Sequence, residues 1–227
     1  MKRCLRYWAL LLAAGLSASS CSSRHDTDEH EQEVHAGASS RKPAPVAAPP
    51  ALGDTLRLLA QQLDTVRQRG CWDEDFARLM SVHHGGAQRL AAVELSHGRD
   101  STLRAQAQHV LKGHERDNHM LTLALTRQPP AGQEYRPGNA QDPFVRRITA
   151  ALAPLRQPPP LPGTPDADFA TIMKVHHQTG VALAQTELAY GKDAEVRNAA
   201  RQTMRDEQAE IKQYQRWLNA HAVTPTP

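Results

Sequence analysis

The chain has 227 residues with 27 Lys and Arg against 24 Asp and Glu. Three of those cations, Lys2, Arg3 and Arg6, lie in a leader expected to be removed, so the rest is balanced in charge and no nucleic-acid partner is indicated. Only three Ile and eleven Val occur, aromatics make up 4%, and Ala, Leu, Gln and Arg dominate, a composition that favours helices and excludes an all-β fold.

Met1 to Ser20 has a basic start, an apolar stretch from Trp8 to Leu16 and small residues before Cys21. This layout predicts a signal peptide over 1–20, too short to remain as a membrane span. The small residues ahead of Cys21 resemble a bacterial lipobox, so cleavage before Cys21 with lipid on its thiol is expected. The protein would then sit in the cell envelope or periplasm, attached to a membrane, and the Ser22-Ser23 that follows points to an outer membrane where the host has one. Cys4 would leave with the leader, which makes Cys71 a lone thiol and predicts no intrachain disulfide. Residues 21–53 are polar, then rich in Ala and Pro, and read as a disordered lipoprotein tether. Within them His25, His30 and His35 alternate with acidic residues in a solvated leash.

A duplication organises the remainder. Laying Asp73 to Leu125 over Asp166 to Leu218, at an ungapped offset of 93, gives 17 identities in 53 positions. Both copies open with Asp-x-Asp-Phe-Ala-x-x-Met-x-Val-His-His and continue to Leu-Ala-x-x-Glu-Leu-x-x-Gly-x-Asp. The predicted repeats span 54–127 and 142–221, with a Pro/Gly linker at 128–141 and a tail at 222–227. Each begins with a short helix. The first, Asp54 to Arg69, carries Leu56, Leu59, Leu63 and Val66. The second, Asp142 to Leu155, has Pro143 at its first position and Phe144, Ile148 and Leu152 on its face.

Each copy then forms a helical hairpin. Phe76, Met80, His83, Ala87, Leu90 and Glu94 recur at steps of three and four, placing His83 on an apolar stripe. Gly98 is expected to end this helix in the left-handed conformation, and Asp100 to cap the next. Leu103, Ala107, Leu111, His114, Asn118, Leu121 and Leu125 form the second stripe, and Val196, Ala200, Met204, Glu207, Ile211, Tyr214 and Leu218 its counterpart. Two tandem hairpins make a four-helix bundle, an all-α fold.

A hairpin turning near Arg99 brings residues whose numbers sum to about 198 to one height. Glu94 then faces Arg104, and Glu187 faces Arg197, predicting ion pairs near the turns. His83 and His84 face His114 and Glu115, with Asp117 and Met80 one turn away. His176 and His177 face Glu207 and Gln208, with Glu210 and Met173 nearby. Adjacent histidines point about 100° apart, so His83 and His176 should face the bundle centre and His84 and His177 a neighbouring groove. Imidazole suits copper, zinc, iron or nickel, whereas thioether favours Cu(I). The candidate metal ligands are therefore Met80, His83, His84, His114, Met173, His176, His177, Glu207 and Glu210, with copper favoured.

The His-His motif, the later Glu-Leu-x-x-Gly-x-Asp and the closing Arg205-Asp-Glu-Gln-Ala-Glu-Ile-Lys-Gln-Tyr-Gln-Arg-Trp-Leu resemble the bacterial DUF305 family, as does Asp142-Pro-Phe ahead of the second copy. The resemblance implies a ferritin-like helical bundle, exported, with some members regarded as periplasmic copper-binding proteins. The family motif falls on Met80, His83 and His84, and on Met173, His176, His177, Gln208 and Glu210. The first copy departs from it with Glu115 in place of Gln and Asp117-Asn118 in place of Glu-Ile.

No nucleophile and base pair, phosphate-cradling loop or nucleotide fingerprint stands out. The expectation is a binding protein and not an enzyme, one that buffers or delivers a transition metal in the envelope. Two other readings stay open. One is a structural or partner-binding lipoprotein without metal. The other is a ferritin-like di-metal oxidase, for which Glu94-x-x-His97 has the right spelling but its counterpart reads Glu187-x-x-Tyr190. Homodimerisation through the first short helix is also open.

Overall fold

The computed structural model describes residues 51–127 and 132–221. Among them are six helices and no strand: α1 (Leu52–Thr65), α2 (Trp72–His97), α3 (Ser101–Arg127), α4 (Pro143–Arg156), α5 (Pro165–Tyr190) and α6 (Ala194–Ala220). The expected signal peptide, the expected lipidation at Cys21 and the expected tether up to residue 50 lie outside the described residues, and α1 begins at Leu52, inside the stretch expected to be tether. No described helix is long and apolar enough to cross a membrane.

Helices α2 with α3 and α5 with α6 form the two hairpins, and α2 packs against α5. The central pair is antiparallel. Asp166, at the start of α5, accepts the Arg99 and Asp100 N–H groups beyond the end of α2 at 2.8 and 2.9 Å. Asp73, at the start of α2, does the same for Lys192 and Asp193 beyond the end of α5, at 3.0 and 2.9 Å. Each hairpin turn is thus held by a carboxylate from the other repeat. Arg127 at the end of α3 reaches Glu195 at the start of α6 at 3.2 Å, so the outer pair is antiparallel too. The long connection carrying α4 between the hairpins matches the single crossover of ferritin-like bundles.

The short helices cover the central pair. Leu56, Leu59 and Leu63 of α1 are buried, and Leu59 lies where a side chain on Gly86 of α2 would stand. Asp142 caps α4, accepting from Phe144 N at 2.9 Å, with Pro143 in the first turn. Helix α1 stops short of the expected Arg69 because the backbone ahead of α2 is committed elsewhere. The Arg69, Gly70 and Cys71 N–H groups all donate to the Asp75 carboxylate, which also accepts from the Tyr135 hydroxyl at 2.7 Å. Gly70 takes φ +87°, and a Cβ there would meet the Tyr135 carbonyl oxygen at 2.7 Å.

One local expectation is corrected. Gly98 is not left-handed: its φ is −65° and ψ 148°. It is small for another reason, since a Cβ at Gly98 would collide with the Glu94 carboxyl, and one at Gly191 with that of Glu187. Cys71 is buried at the N-cap of α2. Asp100 does cap α3, accepting from Leu103 N at 2.9 Å, as Asp193 caps α6 through Glu195 N and Val196 N.

Candidate metal centre

His83 and His176 meet where α2 and α5 cross. Their rings stack at 3.7 Å between centroids. Each Nε2 lies against the other residue's backbone carbonyl, at 3.0 and 3.1 Å. A carbonyl can only accept, so each Nε2 carries the proton and each Nδ1 is left with a bare lone pair. Neither Nδ1 has a hydrogen-bond partner, and both residues are fully buried.

Two of the other histidines follow the same rule. His84 Nδ1 lies 3.1 Å from Asn118 Oδ1, leaving Nε2 unpartnered. His177 Nδ1 donates to the Met173 carbonyl at 2.6 Å, and its bare Nε2 sits 2.5 Å from Glu210 Oε2 without hydrogen-bond geometry. His114 stacks on His84 at 4.3 Å between centroids, and both its nitrogens are unpartnered. The expected hairpin register therefore brings His84 and His114 together.

Glu207 stands among these rings. Its carboxylate is 1% exposed and neither oxygen has a partner. His83 Nδ1 is 4.0 Å from its Oε1. Three donor sets, each with its atoms within 4.8 Å of one another, run through the centre: His83, His176 and Glu207; His114, His177 and Glu207; His84, His114 and Asp117. Glu207 and His114 are each shared by two sets.

Burial dominates the electrostatics. Desolvation, reinforced by neighbouring imidazoles, holds His83, His114 and His176 well below the ordinary histidine range, and desolvation brings His84 to about 4. These rings are neutral at physiological pH, the form in which imidazole binds metal. Desolvation pushes Glu207 well above the usual carboxylate range, and the nearby Glu210, Asp117 and Asp206 add to it.

The centre thus concentrates imidazole and carboxyl atoms that meet no hydrogen-bond partner. A bare imidazole nitrogen facing a carboxylate oxygen is repulsive unless a proton or metal ion lies between. Ligating histidines characteristically donate their other N–H to a carbonyl or carboxylate, which fixes the ring and its tautomer. Four of the five histidines here have that arrangement, so the residues present fit a transition-metal ion.

Not every sequence candidate joins this centre. Met80 and Met173 are fully buried members of the apolar core. Glu115 and Gln208, placed by the register opposite the histidines, are exposed. Asp117 and Asn118, where the first copy departs from the family motif, do join it. Gly180 was missed: its helix passes so close to Glu207 that a Cβ would collide with the carboxylate. Its counterpart in the first repeat is Ala87, which lies with His114 where the second repeat has Glu207. Gly180→Ala should leave the protein folded, since alanine favours the helix by about 1 kcal/mol. It should push Glu207 out of place and weaken metal binding roughly tenfold, about 1.4 kcal/mol, as measured by chelator competition.

The expected ion pairs of Glu94 and Glu187 do not form. Arg104 donates to the Leu95 and Gly98 carbonyls at 2.6 and 3.1 Å, and Arg197 to those of Leu188 and Gly191 at 2.9 and 2.8 Å. Glu94, fully buried, pairs with Asp166, and Glu187 with Asp73. Burial first, then the facing aspartate, pushes Glu94 up to about 8 and Glu187 up to about 9. Each glutamate is therefore the protonated member that donates to its aspartate. Glu94 is committed at the hairpin turn and His97 is exposed, donating to Val93 O. The Glu-x-x-His spelling consequently does not enter the histidine centre.

The profile of the family described as "Domain of unknown function (DUF305)" matches residues 73–218. The chain belongs to the DUF305 family. Among solved structures, a DUF305 fragment from Deinococcus radiodurans is 26% identical, with a TM-score of 0.48 over 66% of this chain and 96% of its own. A DUF305 protein from Streptomyces coelicolor, presumed secreted, is 19% identical, with a TM-score of 0.49 over 70% of this chain and 98% of its own. No functionally curated protein matches.

Proposed function

We propose that this DUF305 protein binds a divalent transition-metal ion in the buried histidine centre, and buffers or delivers it in the cell envelope. The observation that carries the reading is the set of unpartnered lone pairs on His83, His84, His114, His176 and Glu207, all inside one bundle. Neutral imidazoles with a carboxylate suit Cu(II), Zn(II), Fe(II) or Ni(II), and Cu(II) heads the affinity order. The donor atoms defining the centre are nitrogen and oxygen, so Cu(II) is preferred to Cu(I), whose soft thioether partners here belong to the apolar core. His83 and His176 with Glu207 form the inner set. His177, His114 and Glu210 extend it outward. A lipid on Cys21 would keep the bundle at a membrane while the tether lets it reach donors and acceptors of the ion.

The test is chelator competition of the purified protein with Cu(II), Zn(II) and Cu(I), repeated with His83, His84, His176 and His177 changed to Ala. Tight Cu(II) or Zn(II) binding by the wild type, lowered at least a hundredfold in the variant, is the expected result. Absence of retained metal in the wild type would leave a structural lipoprotein.

A further inference from the structure

We propose that a divalent metal ion enters the centre through the cavity between α3 and α6, with His109 and Glu210 as the receiving pair. This rests on the metal-binding reading above. The cavity has a volume of about 680 Å³ and is lined by Gln106, His109, Glu210, Trp217 and His221 among others. His109 is a surface residue, its side chain 73% exposed, whereas Glu210 is 14% exposed. The Glu210 carboxylate joins surface to interior: Oε1 lies 3.7 Å from His109 Nε2, and Oε2 lies 2.5 Å from the buried His177 Nε2. Behind His177 stand His114 and Glu207, in the same donor set. A hydrated dication arriving at His109 can exchange water first for the surface imidazole and a Glu210 oxygen, then for His177 on the other oxygen. At no stage is it stripped of water without a replacement ligand, which would be costly for an ion.

A second cavity, of about 500 Å³, reaches Asp117 at the other end of the α3 and α6 groove. Asp117 approaches the centre through His84 and His114, but its carboxylate is taken by Arg116 at 3.4 Å, and Arg127 also lines the cavity. Both guanidinium groups repel an incoming cation. Arg216 lines the first cavity without pairing with Glu210, so that carboxylate remains turned to the two histidines.

The experiment is stopped-flow mixing of the purified metal-free protein with Cu(II), read by quenching of tryptophan fluorescence, since Trp217 lines the cavity. Ala105→Phe, an exposed cavity position, should obstruct the entrance and slow uptake about tenfold while bound metal per chain at equilibrium is unchanged. His109→Ala should slow uptake several-fold. Arg116→Ala, in the other cavity, should leave the rate as in the wild type. Wild-type rates in both Ala105→Phe and His109→Ala, with equilibrium binding intact, would overturn the port while sparing the metal site. A wild-type protein that binds no Cu(II) at equilibrium would overturn both.

Discussion

Replacing Glu207 with leucine should raise the melting temperature of the metal-free protein and abolish the further rise that Cu(II) gives the wild type. In the metal-free bundle Glu207 is a buried carboxyl with neither oxygen partnered. Leaving such a group unsatisfied costs about 1–3 kcal/mol. Leucine fills a similar volume without that penalty, and for a chain of this size each kcal/mol moves the melting temperature by roughly 2–4 °C. The same substitution removes the carboxylate shared by the two inner donor sets. Wild-type protein at a metal concentration a thousand times its dissociation constant gains about 4 kcal/mol, and the variant should gain little of this. Thermal melts with and without Cu(II) make the comparison. A variant that is less stable in both conditions would mean that Glu207 serves the fold and not a ligand. Stability given up at a functional position is the usual mark of a site.

The carboxyl pairs at the hairpin turns should make the bundle weaken as the solution becomes alkaline. Glu94 is raised to about 8 and Glu187 to about 9, whereas in the unfolded chain both ionise near the ordinary glutamate value. Between those limits the folded state binds more protons than the unfolded one, so stability falls as pH rises. Their contribution is fully present below about pH 4.5 and is lost as pH rises through 8 to 9. Both side chains are fully buried, and the loss between pH 6.5 and 9.5 should be on the order of 2–5 kcal/mol. In the double variant Glu94→Gln, Glu187→Gln, an amide can still donate to Asp166 and Asp73 but does not titrate. Urea unfolding at the two pH values should show a much smaller loss for it. An equal loss in both proteins would refute the shared-proton assignment.

The behaviour of Glu94 also shows where sequence reasoning stops. Periodicity within one hairpin sets which residues share a height, and it placed His84 beside His114, whose rings stack at 4.3 Å. The helix faces were equally legible: Phe76, Leu90, Leu103, Phe169 and Leu183 are all fully buried. What local spacing does not carry is how the two hairpins face each other. Asp73 and Asp166 open their own helices, yet their carboxylates serve the turn of the opposite copy, across 119 and 67 residues respectively. Seen from within one hairpin, Arg104 was the natural partner for Glu94. Seen across the bundle, Asp166 is the partner of Glu94, and the arginine is drawn to the Leu95 and Gly98 carbonyls at the turn. The repeat does not point to His109, whose aligned position in the second copy is Gln202, nor to Gly180, whose neighbour Glu207 comes from another helix.

The exchange of carboxylates between the repeats bears on how the chain acquires its structure. Each turn is completed only when the other copy is present, and each central histidine donates to a carbonyl of the other copy. Neither hairpin can therefore be an autonomous folding unit. The two halves must lock together in one cooperative event, as the subunits of an obligate homodimer would, with the linker between them replacing a bimolecular encounter by an intramolecular one.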